Sequence, residues 1–407
     1  MRLNYKNIGD CIRLVDNRNE GLKVDVLLGL SISKEFIPSV ANTIGTDMEN
    51  YKIIRKNQFA CSTMQVRRDK KMPVALLKDV EEAIISSAYP VFEVIDEEFI
   101  LPEYLMMWFR RPEFDREACF YAIGGVRGSI EWDDFCNMKL PVPSIDKQKE
   151  LVKEFHVIVD RIDVINQLIK KNEEIAQAIY KQWFIDFEFP NLNGIPYKSN
   201  NGAMIRSNEL DKDIPEGWEL MSVKDFCADM KSGGTPSRNS SEYWSSDDVP
   251  WIKTGEIYNN ILVSAAEYIS HEGLVGSSAK LLPVDTVLMS MYGVNAGQIG
   301  YLKFESATNQ ACCGMICNNA DEAGYLYYHL LHNQEWISSQ SIGGAQENLS
   351  KDFIEKILII KPSDEVLSKH TFQIILNYKE KLTREALLLG KMQDLILSKL
   401  ATSEDKL

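Results

Sequence analysis

The sequence predicts an α+β chain: two globular α/β domains in a pseudo-two-fold arrangement, joined by two long antiparallel helices that form a coiled coil. Two observations carry this. A motif recurs at an offset of 218 or 219 residues, and each copy is followed by a long stretch with apolar residues at heptad spacing.

In order along the 407 residues, the first domain spans 1–145. It holds a predicted strand at Asn57-Gln58-Phe59-Ala60 and a basic cluster, Met64-Gln65-Val66-Arg67-Arg68-Asp69-Lys70-Lys71. It closes on Ile123-Gly124-Gly125-Val126-Arg127-Gly128-Ser129-Ile130, Asp134-Phe135 and Pro143. The first helical segment, 146–188, sets Leu151, Phe155, Ile158, Ile162, Ile165, Ile169, Asn172, Ala176, Ile179 and Trp183 at alternating spacings of four and three, with Asn172 the polar interruption. Residues 189–215 are rich in turn formers and read as a linker.

The second domain, 216–362, ends on Ile342-Gly343-Gly344-Ala345-Gln346-Glu347-Asn348-Leu349, Asp352-Phe353 and Pro362, matching the end of the first. The second helix, 363–402 with its seam over 364–400, continues the spacing through Phe372, Ile375, Lys379, Leu382, Ala386, Leu389, Gln393, Ile396 and Leu400. Neither helix buries its stripe alone, so the two are expected to pack together. Such a helix spans roughly 57 Å at 1.5 Å per residue, longer than one duplex turn at about 34 Å. From heptads alone, an ordinary dimerisation coiled coil remains open.

Composition excludes several classes. No apolar run reaches membrane-spanning length, and the N-terminus lacks the apolar core and cleavage pattern of a signal peptide, so a cytoplasmic chain is expected. The cysteines Cys312, Cys313 and Cys317 have no paired knuckles or spaced histidines and read as buried free thiols rather than zinc ligands. His329 and His332 read as packing residues, and the glycines of 293–300 as a tight strand connection. No phosphate loop, His-Glu-x-x-His or amino-methyltransferase motif is present. Net charge is −14; residues 1–145 hold 19 Lys+Arg against 22 Asp+Glu, and 216–362 hold 9 against 18. The second domain therefore lacks a broad phosphate-neutralising face and must use local loops or borrowed charge to meet a polyanion.

The chain resembles the specificity subunits of type I restriction-modification systems. In the first half, Gly125-Val126-Arg127-Gly128-Ser129-Ile130-Glu131-Trp132-Asp133-Asp134-Phe135, Leu140-Pro141-Val142-Pro143-Ser144-Ile145 and Lys147-Gln148 are similar to the end of a target-recognition domain entering its helix. Trp183-Phe184-Ile185-Asp186-Phe187-Glu188, then Ile214-Pro215-Glu216-Gly217-Trp218-Glu219, resembles the passage into the second recognition domain. Ser232-Gly233-Gly234-Thr235-Pro236-Ser237, Glu242-Tyr243-Trp244 and Val249-Pro250-Trp251-Ile252-Lys253-Thr254-Gly255-Glu256-Ile257 resemble that domain's opening. Met291-Tyr292-Gly293 and Asn309-Gln310-Ala311 continue the match.

The resemblance implies a non-catalytic subunit in which each domain reads one half of a bipartite double-stranded DNA target. The helices space the domains and dock two modification (methyltransferase) subunits, which restriction/translocase subunits join. It implies no cofactor of the chain's own: S-adenosylmethionine, ATP and Mg belong to the partners. No membrane partner is implied. The alternatives are a coiled-coil protein scaffold without DNA binding, which leaves the repeated domains unexplained, and a self-sufficient DNA methyltransferase or nuclease, which the missing motifs disfavour.

The candidate DNA-binding residues follow from side-chain chemistry. Arg67, Arg68, Lys70 and Lys71 suit phosphate, and Gln65 or Arg67 a base edge, against the alternative of a solvated charged loop. In the second domain, Gly234 allows close backbone approach, Thr235, Ser237 and Arg238 offer hydroxyls and charge, and Lys253, Thr254 and Glu256 follow a strand end where Lys suits guanine and Glu cytosine. Trp251 itself reads as core. Gln346 and Asn348 suit adenine, or a structural role at the domain–helix junction. Trp183, Phe184 and Phe187 are the candidates for partner docking, with packing on the other helix as their alternative. Nothing equivalent to the Trp183–Glu188 segment follows Leu400, so the two docking sites are not expected to be identical.

Overall fold

The computed structural model describes residues 4–39, 45–123, 128–191, 193–341 and 348–401. The chain mixes helix and sheet and divides into two compact units: residues 1–162 with 388–407, and residues 163–387.

Unit 1 is built around an antiparallel four-stranded sheet in the order Ile12–Val15, Val91–Val94, Phe59–Cys61, Val74–Leu76. Register sets Phe59 beside Phe92, whose rings stack at 5.0 Å. Phe109, Phe114 and Phe135 close an aromatic core over them. Helices Pro102–Arg110 and Pro112–Tyr121 each begin on a proline, where the missing N–H costs no helical bond. A buried ion pair joins Lys34 Nζ to Asp115 Oδ1 at 2.8 Å, and the same oxygen accepts the Met72 N–H at 3.0 Å.

Unit 2 holds a five-stranded sheet in the order Asp229–Ser232, Cys312–Ile316, Val287–Ser290, Ile299–Leu302, Asn260–Leu262, with only the last pair parallel. A three-stranded sheet places Val249–Ile252 between Glu267–Ile269 and Ala307–Thr308. The glycine-rich stretch 293–300 does connect antiparallel strands, with Gly293 and Gly297 at φ 78° and 83°. Cys312 and Cys313 are buried free thiols, and Trp251 is core. His329 is buried, its Nδ1 accepting from Tyr180 and its Nε2–H donating to the Leu358 carbonyl.

Both units close in the same manner. In unit 1, strand Tyr5–Asn7 runs antiparallel to Lys139–Pro141, which follows helix Trp132–Asn137 and leads into the first long helix. In unit 2, strand Glu219–Ser222 runs antiparallel to Leu358–Lys361, which follows helix Lys351–Lys356 and precedes the second long helix.

The first long helix is Ile145–Tyr180, extended by a π turn over Lys181–Ile185. Within unit 1 its Leu151, Phe155 and Ile158 share a core with Ile396, Leu397 and Leu400 of the second helix. Within unit 2 its Ala176 and Tyr180 share a core with Phe372 and Leu376. Each unit thus buries part of both seams. Asn172 is satisfied inside its own helix, donating to the Leu168 carbonyl at 2.7 Å. Buried Lys379 pairs with Glu173.

Two expectations need correction. The second helix does not run unbroken from 364: Asp364–Leu367 is a single turn, His370 takes a left-handed φ of 53°, and the helix proper is Thr371–Lys399. The segment 189–215 is not an open linker either. It carries the hairpin Met204–Ser207/Lys212–Pro215, and its Phe189 and Ile214 are buried, Phe189 stacking on Trp218 at 5.0 Å.

Candidate nucleic-acid interface

The basic cluster of unit 1 sits on the connection between paired strands Phe59–Cys61 and Val74–Leu76. Val66 is buried and anchors a single helical turn, Val66–Asp69, flanked by Gln65 and Lys70 in left-handed conformations at φ 64° and 53°. The Arg67 N–H points at the Gly128 carbonyl at 3.5 Å, and the Ile130 N–H bonds the Thr63 carbonyl at 3.0 Å, setting the loop beside residues 128–130. Arg67, Arg68, Lys70 and Lys71 are exposed and Gln65 is half-buried. Arg68 is held by a two-point pair with Asp69, which raises the arginine's pKa and lowers that of the carboxyl. Among the described residues, none forms an ion pair with Arg67, Lys70 or Lys71. Arg127 lies outside the described residues.

In unit 2 the candidates converge on the rim of the three-stranded sheet. Gly234 is buried, donating to the Thr308 carbonyl at 2.8 Å and accepting from Trp251 Nε1 at 3.0 Å. A Cβ there would fall on Ser278 and Ala279. The close approach that requires this glycine is therefore to the chain's own backbone, which corrects the expected approach to a ligand. Thr235, Ser237 and Arg238 are exposed on the loop that follows. Thr235 donates to Gln310, and the Ser237 carbonyl accepts from Trp244 Nε1 at 3.1 Å. The Arg238 guanidinium lies 3.5 Å from the centre of the Trp244 ring and donates to Glu267 Oε2 at 2.6 Å. Lys253 donates to the other oxygen of the same carboxylate, and these two cations, Lys253 first, hold the Glu267 carboxyl below its ordinary range.

Glu256 is committed locally. Its oxygens accept the N–H groups of Lys253 at 3.0 Å and Ala266 at 2.9 Å, so it shapes the turn Thr254–Glu256 instead of being free for a cytosine amine. Half-buried Thr254 offers its carbonyl to Asn295 at 3.1 Å. The turn carrying Asn295 begins at Tyr292, which is bridged to Asn348. Exposed Asn348 lines a cleft of about 810 Å³ with Tyr292, Gln340, Ser350 and Phe353. Gln346 lies outside the described residues.

The docking candidates are placed differently from expectation. Phe184 and Phe187 are 3% and 2% exposed and pack on Trp218, Phe184 also on Tyr325 and Phe372. They belong to the core of unit 2 and are not available as a docking surface; Trp183 is half-buried beside Phe184. Reading the sequence missed Glu267, Trp244 as the shelf for Arg238, and Gln310. Glu267 meets Trp251 only through strand register, which no local pattern reveals.

Residues 215–389 match the family model described as the type I restriction modification DNA specificity domain. Over that stretch the chain is similar to the specificity subunits of type I restriction-modification systems. The chain is 23% identical, over 87% of each chain, to the type I restriction enzyme HindI specificity subunit of Haemophilus influenzae. It is 22% identical to the MjaIX specificity subunit of Methanocaldococcus jannaschii, over 76% of this chain and 71% of the relative. Its fold is that of a type I restriction-modification S subunit from M. genitalium, at a TM-score of 0.59 and 13% identity, covering 100% of this chain and 97% of the other. No helix among the described residues is long and apolar enough to cross a membrane.

Proposed function

We propose that this chain is a non-catalytic specificity subunit that reads a bipartite double-stranded DNA target, one half with each recognition domain, domain 1 at 1–145 and domain 2 at 216–362. The observation that carries the reading is that two similarly closed domains each present cations on connecting loops: Arg67, Lys70 and Lys71 on one loop of the first, Arg238 and Lys253 on two loops of the second that meet at Glu267. Cations on loops held by buried anchors suit phosphate contact, and side chains beside them can reach base edges. The long helices form an antiparallel coiled coil that separates the domains about a pseudo-two-fold axis. Their exposed apolar residues, among them Val157, Ile175, Ile374 and Leu388, suit the docking of two modification subunits. Those partners supply adenine methylation with S-adenosylmethionine; restriction/translocase subunits add ATP- and Mg-dependent steps. The complex works in the cytoplasm.

The test is selection from random-sequence duplexes by the chain assembled with its modification subunit. Recovery of one asymmetric split sequence is expected. Recovery of unselected DNA by a stable, correctly assembled complex would contradict the reading.

A further inference from the structure

Two cations meet on one exposed carboxylate in a domain short of positive charge. Residues 216–362 carry 9 basic side chains against 18 acidic ones, yet two of the nine, Arg238 and Lys253, converge on Glu267. Each takes a different oxygen of the carboxylate. The site is built: Glu267 is the strand partner of buried Trp251, and Arg238 sits over the Trp244 ring, whose indole N–H is tied to the same loop. It is also open, since the side chains of Arg238, Lys253 and Glu267 are 53%, 40% and 31% exposed. Arginine and lysine presented to two oxygens of one anion match the two non-bridging oxygens of a phosphodiester.

We propose that Glu267 holds the place of a DNA phosphate, and that it is an internal competitor that sets how tightly this domain holds the DNA backbone. Resting on the proposed DNA reading, the inference names a residue that acts against binding. In free protein the carboxylate neutralises one of the two cations. A phosphodiester must displace it to use both. Displacement costs the same on any sequence, so Glu267 weakens target and non-target binding by the same factor, and only a target that adds base contacts offsets the loss. The ion pair is solvent-exposed and therefore weak enough to exchange.

The experiment uses the chain assembled with its modification subunit and compares Glu267→Gln with the unchanged protein on target and non-target duplexes across a salt series. Glutamine keeps the shape and removes the charge. Non-target affinity is expected to rise on the order of threefold or more near 50 mM salt, and the slope of log affinity against log salt to steepen by about one. Target affinity rises by the same factor, so the ratio of target to non-target affinity is unchanged. Adding Lys253→Gln to the first change returns the slope to its original value. Unchanged or weaker non-target binding by a Glu267→Gln or Glu267→Ala complex that still selects the target would overturn the inference and leave the DNA reading standing. If the unchanged complex retains no DNA at all, the DNA reading fails and this inference fails with it.

Discussion

His329 stays neutral in the folded chain because burial among Tyr180, Tyr325 and His332 disfavours the imidazolium, lowering its pKa to about 4. The unfolded chain binds a proton near pH 6.5, so this residue's contribution to stability is complete above that pH and declines as pH falls towards 4. A shift of this size corresponds to about 3 kcal/mol across that window. His329→Gln should flatten the dependence; thermal midpoints measured from pH 8 to pH 4 that fall equally in both proteins would refute the assignment. In unit 1, replacing Lys70 and Lys71 with glutamine should weaken target and non-target binding by the assembled complex alike and reduce the salt slope by about one for each phosphate left without its lysine. A change in the preferred base instead would move these residues from phosphate contact to base reading. The chemistry of single residues was legible only where side-chain type decides it. Trp251 as core and the basic character of 67–71 could be read directly. The roles of Gly234, Glu256 and Glu267 could not, because each depends on what the fold brings across from Ser278, Ala266 or Trp251.

At the scale of elements, periodicity was the most readable signal. The heptad positions Leu151, Phe155, Ile158, Ile165, Ala176, Phe372, Leu382, Ile396 and Leu400 are all buried. Tyr180, Leu376 and Leu397 are buried too although they lie off the seam, because these helices also pack on the globular cores of their units. The break at His370 and the hairpin inside 189–215 escaped for opposite reasons. A left-handed residue leaves no periodic trace, and turn formers mark a tight hairpin as readily as an open linker. Asn172 interrupts the seam and donates to the Leu168 carbonyl of its own helix, and among the described residues it shows no hydrogen bond to the other helix. Asn172→Leu should therefore raise the unfolding midpoint, by on the order of 1 kcal/mol of added stability. A fall in the midpoint would show that the amide has a partner in the assembled state.

For the whole molecule, charge constrains function. A chain at net −14 whose second domain ties two of its cations to Glu267 is poorly suited to hold DNA alone. The isolated chain should bind DNA weakly with a shallow salt slope, partner subunits supplying most phosphate contacts; tight, steeply salt-dependent binding in a filter or fluorescence titration would contradict this. The duplicated plan of the chain was legible from the recurrence at 218 or 219 residues, because both copies close their domains with similar strand and helix elements. Which bases are read was not, since that depends on side-chain placement in the groove and on DNA shape. The central claim is that one chain reads two separated half-sites. Its most direct test is to express the chain with its modification subunit in a host free of adenine methylation and map methylated adenines across the host DNA. One asymmetric motif split by a gap of fixed length is the result expected; a continuous motif, or no methylation from a stable and methyl-donor-competent complex, would contradict it.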